Sequence, residues 1–239
     1  MGRNSFRPLA VVPLGDRAAY VEFSRALDLD INAFIQRLGI AVEQALRGQD
    51  PRPVLDIVPA FGGLALHFDP DFEGDILETA AALVERCIKE GVSAKEGPQR
   101  IVEVPVCYEP PFAIDLDEVC EKTKLPKERL IHLHVTGEYR VLMVGFAPGH
   151  AYIGGLDPKL SVPRRANPRA EVPAGSVAIA NEQTVIYPYA ISGGWSVIGR
   201  TPLTVFDAAR EQPSLFMAGD RVRFRVIDPG KFLRLSGTT

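Results

Sequence analysis

Between Gly145 and Arg200, glycine and proline are packed between short apolar runs, and polar residues stand beside the turns: Arg164, Arg165, Gln183, Tyr187, Trp195 and Arg200. Glycine permits tight turns and close backbone approach, and proline fixes φ and removes a donor. A stretch punctuated this way reads as many short strands, with function on the loops between them.

The first hundred residues have another texture. Pro8 to Leu14 and Ala18 to Phe23 are β-prone runs around a tight turn at Gly15-Asp16. Ile31, Phe34, Ile35, Leu38, Val42, Ala45 and Leu46 then recur at helical spacing, with Asp28 or Asp30 as cap and Gly48 as stop. Val54 to Ala60 and Leu64 to Phe68 are two more strands. A second helix is predicted over Ile76 to Ile88, opened by Asp75 with Glu78 and closed by Gly91. The order ββαββα implies a small antiparallel sheet with two helices on one face, an N-terminal domain over residues 1–96.

Ser93 to Gln99 is polar, contains Gly97-Pro98 and reads as a linker to a second domain over 97–239. There Val102 to Cys107 is a strand. Leu116, Val119 and Cys120 mark a short helix, and Pro126 begins another through Leu130. His134 to Val144 reads as a strand with a turn at Gly137. Further strands are Gly175 to Ala180, Thr184 to Tyr187, Trp195 to Ile198, Leu203 to Phe206 and Arg221 to Ile227. The fold class expected is α+β: a small α/β sandwich followed by a β-barrel or sandwich.

The balance of charge narrows the partners. A net charge of −3 gives no general pull toward nucleic acid. No apolar run approaches the roughly 20 residues of a membrane span, and the opening MGRNSFRPLA has no leader-like apolar core. The three cysteines, Cys87, Cys107 and Cys120, are odd in number and widely spaced, which argues against a disulfide framework or zinc site. A reducing cytoplasm fits. His132 and His134 would share a face on a strand but have no evident third ligand, so no metal site is expected.

Several residues carry chemistry. His150, in Pro148-Gly149-His150-Ala151-Tyr152, is either a partly exposed loop histidine or a proton donor in a pocket. Arg164 and Arg165 after Pro163 suit carboxylate or phosphate oxygens, or else form a solvated basic turn. Gln183, Tyr187 and Trp195 can wall a small-molecule pocket or simply pack a core; Gly193-Gly194 before the indole suggests that space is needed there. Arg200 is an anion contact or a strand-end ion pair. No G-x-x-x-x-G-K-[ST] phosphate loop, G-x-S-x-G elbow or H-E-x-x-H pair is present.

A series of motifs runs in one order: Val104-Pro105-Val106-Cys107-Tyr108, Gly145-Phe146-Ala147-Pro148-Gly149, Tyr152-Ile153-Gly154-Gly155-Leu156-Asp157, Val162-Pro163-Arg164-Arg165, Val172-Pro173-Ala174-Gly175-Ser176-Val177, Gln183-Thr184, Gly193-Gly194-Trp195, Ile198-Gly199-Arg200-Thr201-Pro202-Leu203 and Gly219-Asp220-Arg221. In these the chain resembles the family of the 5-oxoprolinase B subunit, the sporulation histidine-kinase inhibitor and allophanate hydrolase subunit 1. Where relatives commonly read P-G-F-P-Y-L-G-G, this chain has His150 for the phenylalanine, a more polar choice.

The resemblance implies a cyclophilin-like β-barrel for the second domain. It implies one component of an ATP-dependent 5-oxoprolinase that converts 5-oxo-L-proline to L-glutamate with a neighbouring partner like the C subunit of that enzyme. The isolated chain would be inactive, and ATP contacts would be shared with that partner. In that scheme His150, Arg165 and Gln183 take catalytic roles. Pro148, Gly149, Tyr152, Arg164, Tyr187, Gly194, Trp195 and Arg200 bind the cyclic amide. The family leaves two alternatives: an inhibitor of a sensor histidine kinase, and a carboxyltransferase component of a urea carboxylase system.

Overall fold

The computed structural model describes residues 6–92 and 100–237; the polar stretch 93–99, read as a linker and holding the expected 96/97 boundary, lies outside them. The chain divides into two compact units, Met1–Pro98 and Gln99–Thr239.

The first unit has the expected ββαββα order: β1 (Ala10–Pro13), β2 (Ala18–Glu22), α1 (Leu29–Leu46), β3 (Val54–Pro59), β4 (Gly63–Phe68) and α2 (Ile76–Glu90). The strands form an antiparallel sheet in the order β1-β2-β4-β3. Asp28, not Asp30, caps α1, its carboxylate accepting from the N–H groups of Asp30 and Ile31. Asp75 does the same for α2 through Glu78 N–H. Ala80, Leu83, Val84 and Cys87 repeat at three and four residues, so α2 buries one stripe; they join Ile35, Leu38, Leu64 and Leu66 in one core.

The second unit is a nearly closed mixed β-barrel. Its strands are β5 (Ile101–Val106), β6 (Tyr139–Val144), β7 (Ala151–Gly154), β8 (Arg169–Val172), β9 (Ser176–Ala180), β10 (Gln183–Ile186), β11 (Ile191–Gly193), β12 (Ser196–Arg200) and β13 (Arg221–Val226). Seven of them run β12-β9-β10-β7-β6-β13-β5, with only β13 and β5 parallel, and β11 and β8 form a separate pair. Closure comes from Cys107, just past β5, whose N–H and C=O exchange hydrogen bonds of 2.9 and 3.0 Å with Arg200 at the end of β12. This is the α+β architecture with a cyclophilin-like barrel that the sequence led us to expect.

Alternation sorts the strand side chains. Ile153, Val177, Ile179, Ile186 and Ile198 turn into the barrel, where α3 (Leu116–Thr123) and α4 (Lys127–Thr136) add Leu116, Val119, Leu130 and Leu133. Ala178, Ala180, Val185, Tyr187 and Val197 turn outward and are covered by Val172, Ile191 and Trp195. The small β8–β11 ribbon thus lies over the outer face of the barrel. A short helix, α5 (Pro229–Ser236), closes the chain by burying Phe232 against Cys107 and Ile227.

Three local expectations change. His134 belongs to α4, not to a strand, so it does not share a strand face with His132. Its ring is fully buried among Tyr139 and Phe224, with Nδ1 2.7 Å from the Tyr108 hydroxyl and Nε2 3.4 Å from Thr184 Oγ1. Thr184 donates its own proton to the Ala178 carbonyl. Its oxygen therefore accepts from Nε2–H, and Tyr108 donates to Nδ1. Burial pushes this imidazole down to about 3, as fits a neutral core residue. Leu203 to Phe206 forms no strand: Leu203 and Val205 are core contacts in an irregular segment that makes one bridge, Phe206 to Ser214. Conversely β7, β8, β11 and α5 are elements that the sequence pattern does not reveal, because each is only three to eight residues long.

Candidate functional site

The outer face of β7 and β10 gathers most of the residues singled out above. The two strands pair antiparallel, with Val185 opposite Tyr152 and Gln183 opposite Gly154. The same register carries Tyr187 to His150, whose rings meet edge-on at 5.7 Å. His150, Tyr152, Gln183, Val185 and Tyr187 therefore occupy one sheet face. Trp195 approaches from the Gly193-Gly194 turn, its ring 6.2 Å from that of Tyr152. Phe146 reaches over from the loop before β7, 5.4 Å from His150.

Two glycines make this packing possible. A Cβ at Gly193 would stand 2.1 Å from the Tyr187 hydroxyl, so the turn admits no side chain where that hydroxyl hydrogen-bonds the Trp195 backbone. Gly149 has φ +77°, and a Cβ there would meet the Phe206 Cβ at 2.7 Å. That left-handed residue turns the chain back so that His150 enters the sheet face.

His150 is buried, only 3% exposed, rather than partly exposed in a loop. Its Nδ1 has no hydrogen-bond partner among the described residues. Burial lowers its pKa to about 4, so the ring is neutral near pH 7. Tyr152 next to it is half-buried and Phe146 is 68% exposed. Phe146 also has φ +74°, a conformation that a bulky L-residue adopts only under strain.

The two neighbouring arginines part company. Arg164 is exposed, and its charge favours ionisation of both Tyr152 and Tyr187, against the larger effect of burial that raises them. Arg165 turns the other way. Its backbone N–H donates to the Gly194 carbonyl at 2.7 Å, and its guanidinium donates to Asp115 at 3.0 Å and Glu118 at 2.7 Å. Glu118, bonded by Lys122 and Arg165, is lowered to about 2. Arg200 donates through Nε to the Ala174 carbonyl at 2.7 Å, beside the barrel seam. Pro148 is exposed on the Phe146 loop, and Gly194 is buried under Pro168.

Sequence reasoning misses Asp115. It sits at the cap of α3 but makes no capping bond. Its buried carboxylate is occupied instead by Arg165, by Arg169 through Nη1 at 2.8 Å and Nη2 at 2.5 Å, and by Val197 N–H at 2.7 Å. One carboxylate thus ties the arginine loop to β12. Only its position before a helix is visible in sequence, and that position suggests an ordinary cap.

Tyr187 and Trp195 are packed in the core under the β8–β11 ribbon, so what this face offers a ligand is half-buried Tyr152 and Gln183, the exposed Arg164 and Phe146, and a buried imidazole nitrogen without a partner. Such a surface suits a small, flat, anionic molecule with a polar edge. Among the described residues no cluster of His, Cys, Asp and Glu fit to hold a metal is found, and no helix is long and apolar enough to cross a membrane.

Comparison with known proteins agrees with the fold. The family model "Carboxyltransferase domain, subdomain C and D" matches residues 9–216. The chain is 36% identical over 220 residues to the 5-oxoprolinase B subunit of Bacillus subtilis (strain 168), covering 88% of this chain and 90% of that protein. It is 45% identical over 135 residues to the 5-oxoprolinase B subunit of Escherichia coli O157:H7, covering 56% and 62%. Among solved structures, TTHA0988 superposes with a TM-score of 0.73 at 37% identity over 89% of this chain, which spans only 40% of that longer chain. The chain therefore belongs to the carboxyltransferase domain family, subdomain C and D, together with the 5-oxoprolinase B subunits.

Proposed function

We propose that this chain is the B subunit of an ATP-dependent 5-oxoprolinase, which opens 5-oxo-L-proline to L-glutamate together with a partner like that enzyme's C subunit in the cytoplasm. The observation that carries the reading is the 36% identity to a B subunit along 90% of that protein's length. The outer-face site is compatible with it. Arg164 supplies a cation for the substrate carboxylate, Tyr152 a flat wall for the ring, and Gln183 a polar group at the end of the face away from His150. Arg165 serves by holding the loop that presents Arg164, through its bonds to Asp115 and Glu118.

Opening an unstrained lactam in water needs activation, and ATP supplies that chemistry. Among the described residues no glycine-rich loop leads into a helix with a following lysine, and no group of three or more His, Cys, Asp or Glu gathers to hold a metal ion. We assign the ATP contacts to the partner, and the isolated chain to binding and orienting the cyclic amide. The test is co-expression with the products of the neighbouring genes and an assay of ATP-dependent glutamate formation. An assembled complex that forms no glutamate from 5-oxoproline removes this reading. The family model's own description favours carboxyl transfer as the second reading; it requires activity with a biotin-bearing partner and a urea-like substrate instead.

A further inference from the structure

Among the described residues, one nitrogen of the buried imidazole on the outer face is left without a partner. His150 Nδ1 has no partner, although the residue is only 3% exposed. Buried polar atoms are nearly always hydrogen-bonded, and an exception calls for a reason. Tyr152, at 4.9 Å, and Tyr187, at 5.7 Å, meet the ring edge-on, and these packed contacts leave the nitrogen without an internal partner. A third ring, Phe146, meets it edge-on at 5.4 Å; it is exposed and held in the left-handed region between Gly145 and Ala147. An exposed aromatic in a strained backbone is poised to move, because displacement relieves strain and uncovers little further apolar area.

We propose that His150 adds to this site a contact that the phenylalanine of its relatives cannot make: Nδ1 hydrogen-bonds the amide of a small cyclic amide carrying a carboxylate, and Phe146 is the ring displaced when that ligand enters. The inference rests on the reading of the chain as a 5-oxoprolinase component for the choice of ligand, and on the unpaired nitrogen for the contact. The ligand carboxylate lies toward Arg164, its ring against Tyr152, and its amide at the imidazole. His150 acts here as a neutral hydrogen-bond partner. The burial that pushes it to about 4 removes it as a proton donor near neutral pH and keeps its nitrogen available.

The test uses histidine-labelled chain assembled with its neighbouring subunits, with the imidazole nitrogens followed by NMR and the His150 signal assigned from His150→Phe. Adding 5-oxoproline should move the His150 Nδ1 resonance and leave His67, His132 and His134 in place. Cyclopentanecarboxylate, which keeps ring and carboxylate but lacks the amide, should not move it. In the assay, His150→Phe should raise KM for 5-oxoproline about three- to ten-fold, the worth of one neutral hydrogen bond, with kcat changed less. Phe146→Gly should shift the ligand-free resonance toward its bound position, as water reaches the nitrogen. A complex that turns over 5-oxoproline with no nitrogen shift and an unchanged KM in His150→Phe overturns this inference and leaves the function standing. A nitrogen shift without turnover supports the contact and removes the enzymatic reading. A shift of equal size with cyclopentanecarboxylate overturns the amide contact.

Discussion

Replacing Asp115 by alanine tests the idea that one buried carboxylate holds the site's loop in place. The side chain is 3% exposed and accepts from Arg165, twice from Arg169, and from the Val197 N–H. Alanine leaves that N–H unpaired inside the protein, which costs about 1–3 kcal/mol. It also leaves two guanidinium groups without their shared counter-charge. Breaking a buried ion pair costs about 3–5 kcal/mol. Here Arg165 keeps Glu118, and the arginines are 24% and 25% exposed, so water recovers part of the loss. A total of about 3 kcal/mol follows. For a unit of this size that lowers its melting temperature by about 10 °C. Calorimetry on the full chain reads it as a downward shift of the transition of the unit that holds the barrel. Asp115→Asn retains an acceptor for Val197 and should lose about half as much. A shift under about 2 °C for the alanine variant would refute the reasoning, because the carboxylate would then be a bystander.

Other outcomes follow from the same geometry. Arg165→Ala loses its bonds to Asp115 and Glu118 and should cost about 1–2 kcal/mol, so any loss of turnover should come with a lower melting temperature; Arg164→Ala should weaken substrate binding with the melting temperature unchanged. Gly193→Ala puts a Cβ 2.1 Å from the Tyr187 hydroxyl and must displace the turn; since Trp195 is the only tryptophan, its emission should shift to the red and report the change directly. Acid should destabilise the protein. The folded state holds His150 and His134 neutral down to about 4 and about 3, whereas the unfolded chain protonates both near 6.5. Their stabilisation is present above 6.5 and falls as pH drops toward those lower values, by about 1.4 kcal/mol per pH unit for each ring. His150→Phe should remove about one proton's worth of that slope in denaturant titrations between about pH 6 and 4.5, and an unchanged slope would show that His150 is solvated in the fold.

The sequence determined the elements whose physics is local. Helical spacing from Ile31 to Leu46, the carboxylates of Asp28 and Asp75, and left-handed Gly91 set α1 and α2 within a few residues. Glycine and proline in the second half marked where strands must stop, and the order of the motifs identified the family. Contacts between distant residues were decided only by the tertiary structure. Arg164 and Arg165 are consecutive and chemically alike, yet one stays exposed with its charge felt by Tyr152 and Tyr187, and the other meets a carboxylate 50 residues away. His134 shares the buried face of α4 with Leu130 and Leu133, but the Tyr108 and Thr184 it bonds are brought to it only by the folded barrel. Asp115 resembles a helix cap from either side along the chain, and its role exists only once β12 and the arginine loop converge on it. Local propensity acts through the backbone of adjoining residues, whereas burial and charge pairing act through space, so the folded chain alone selects which side chain faces which.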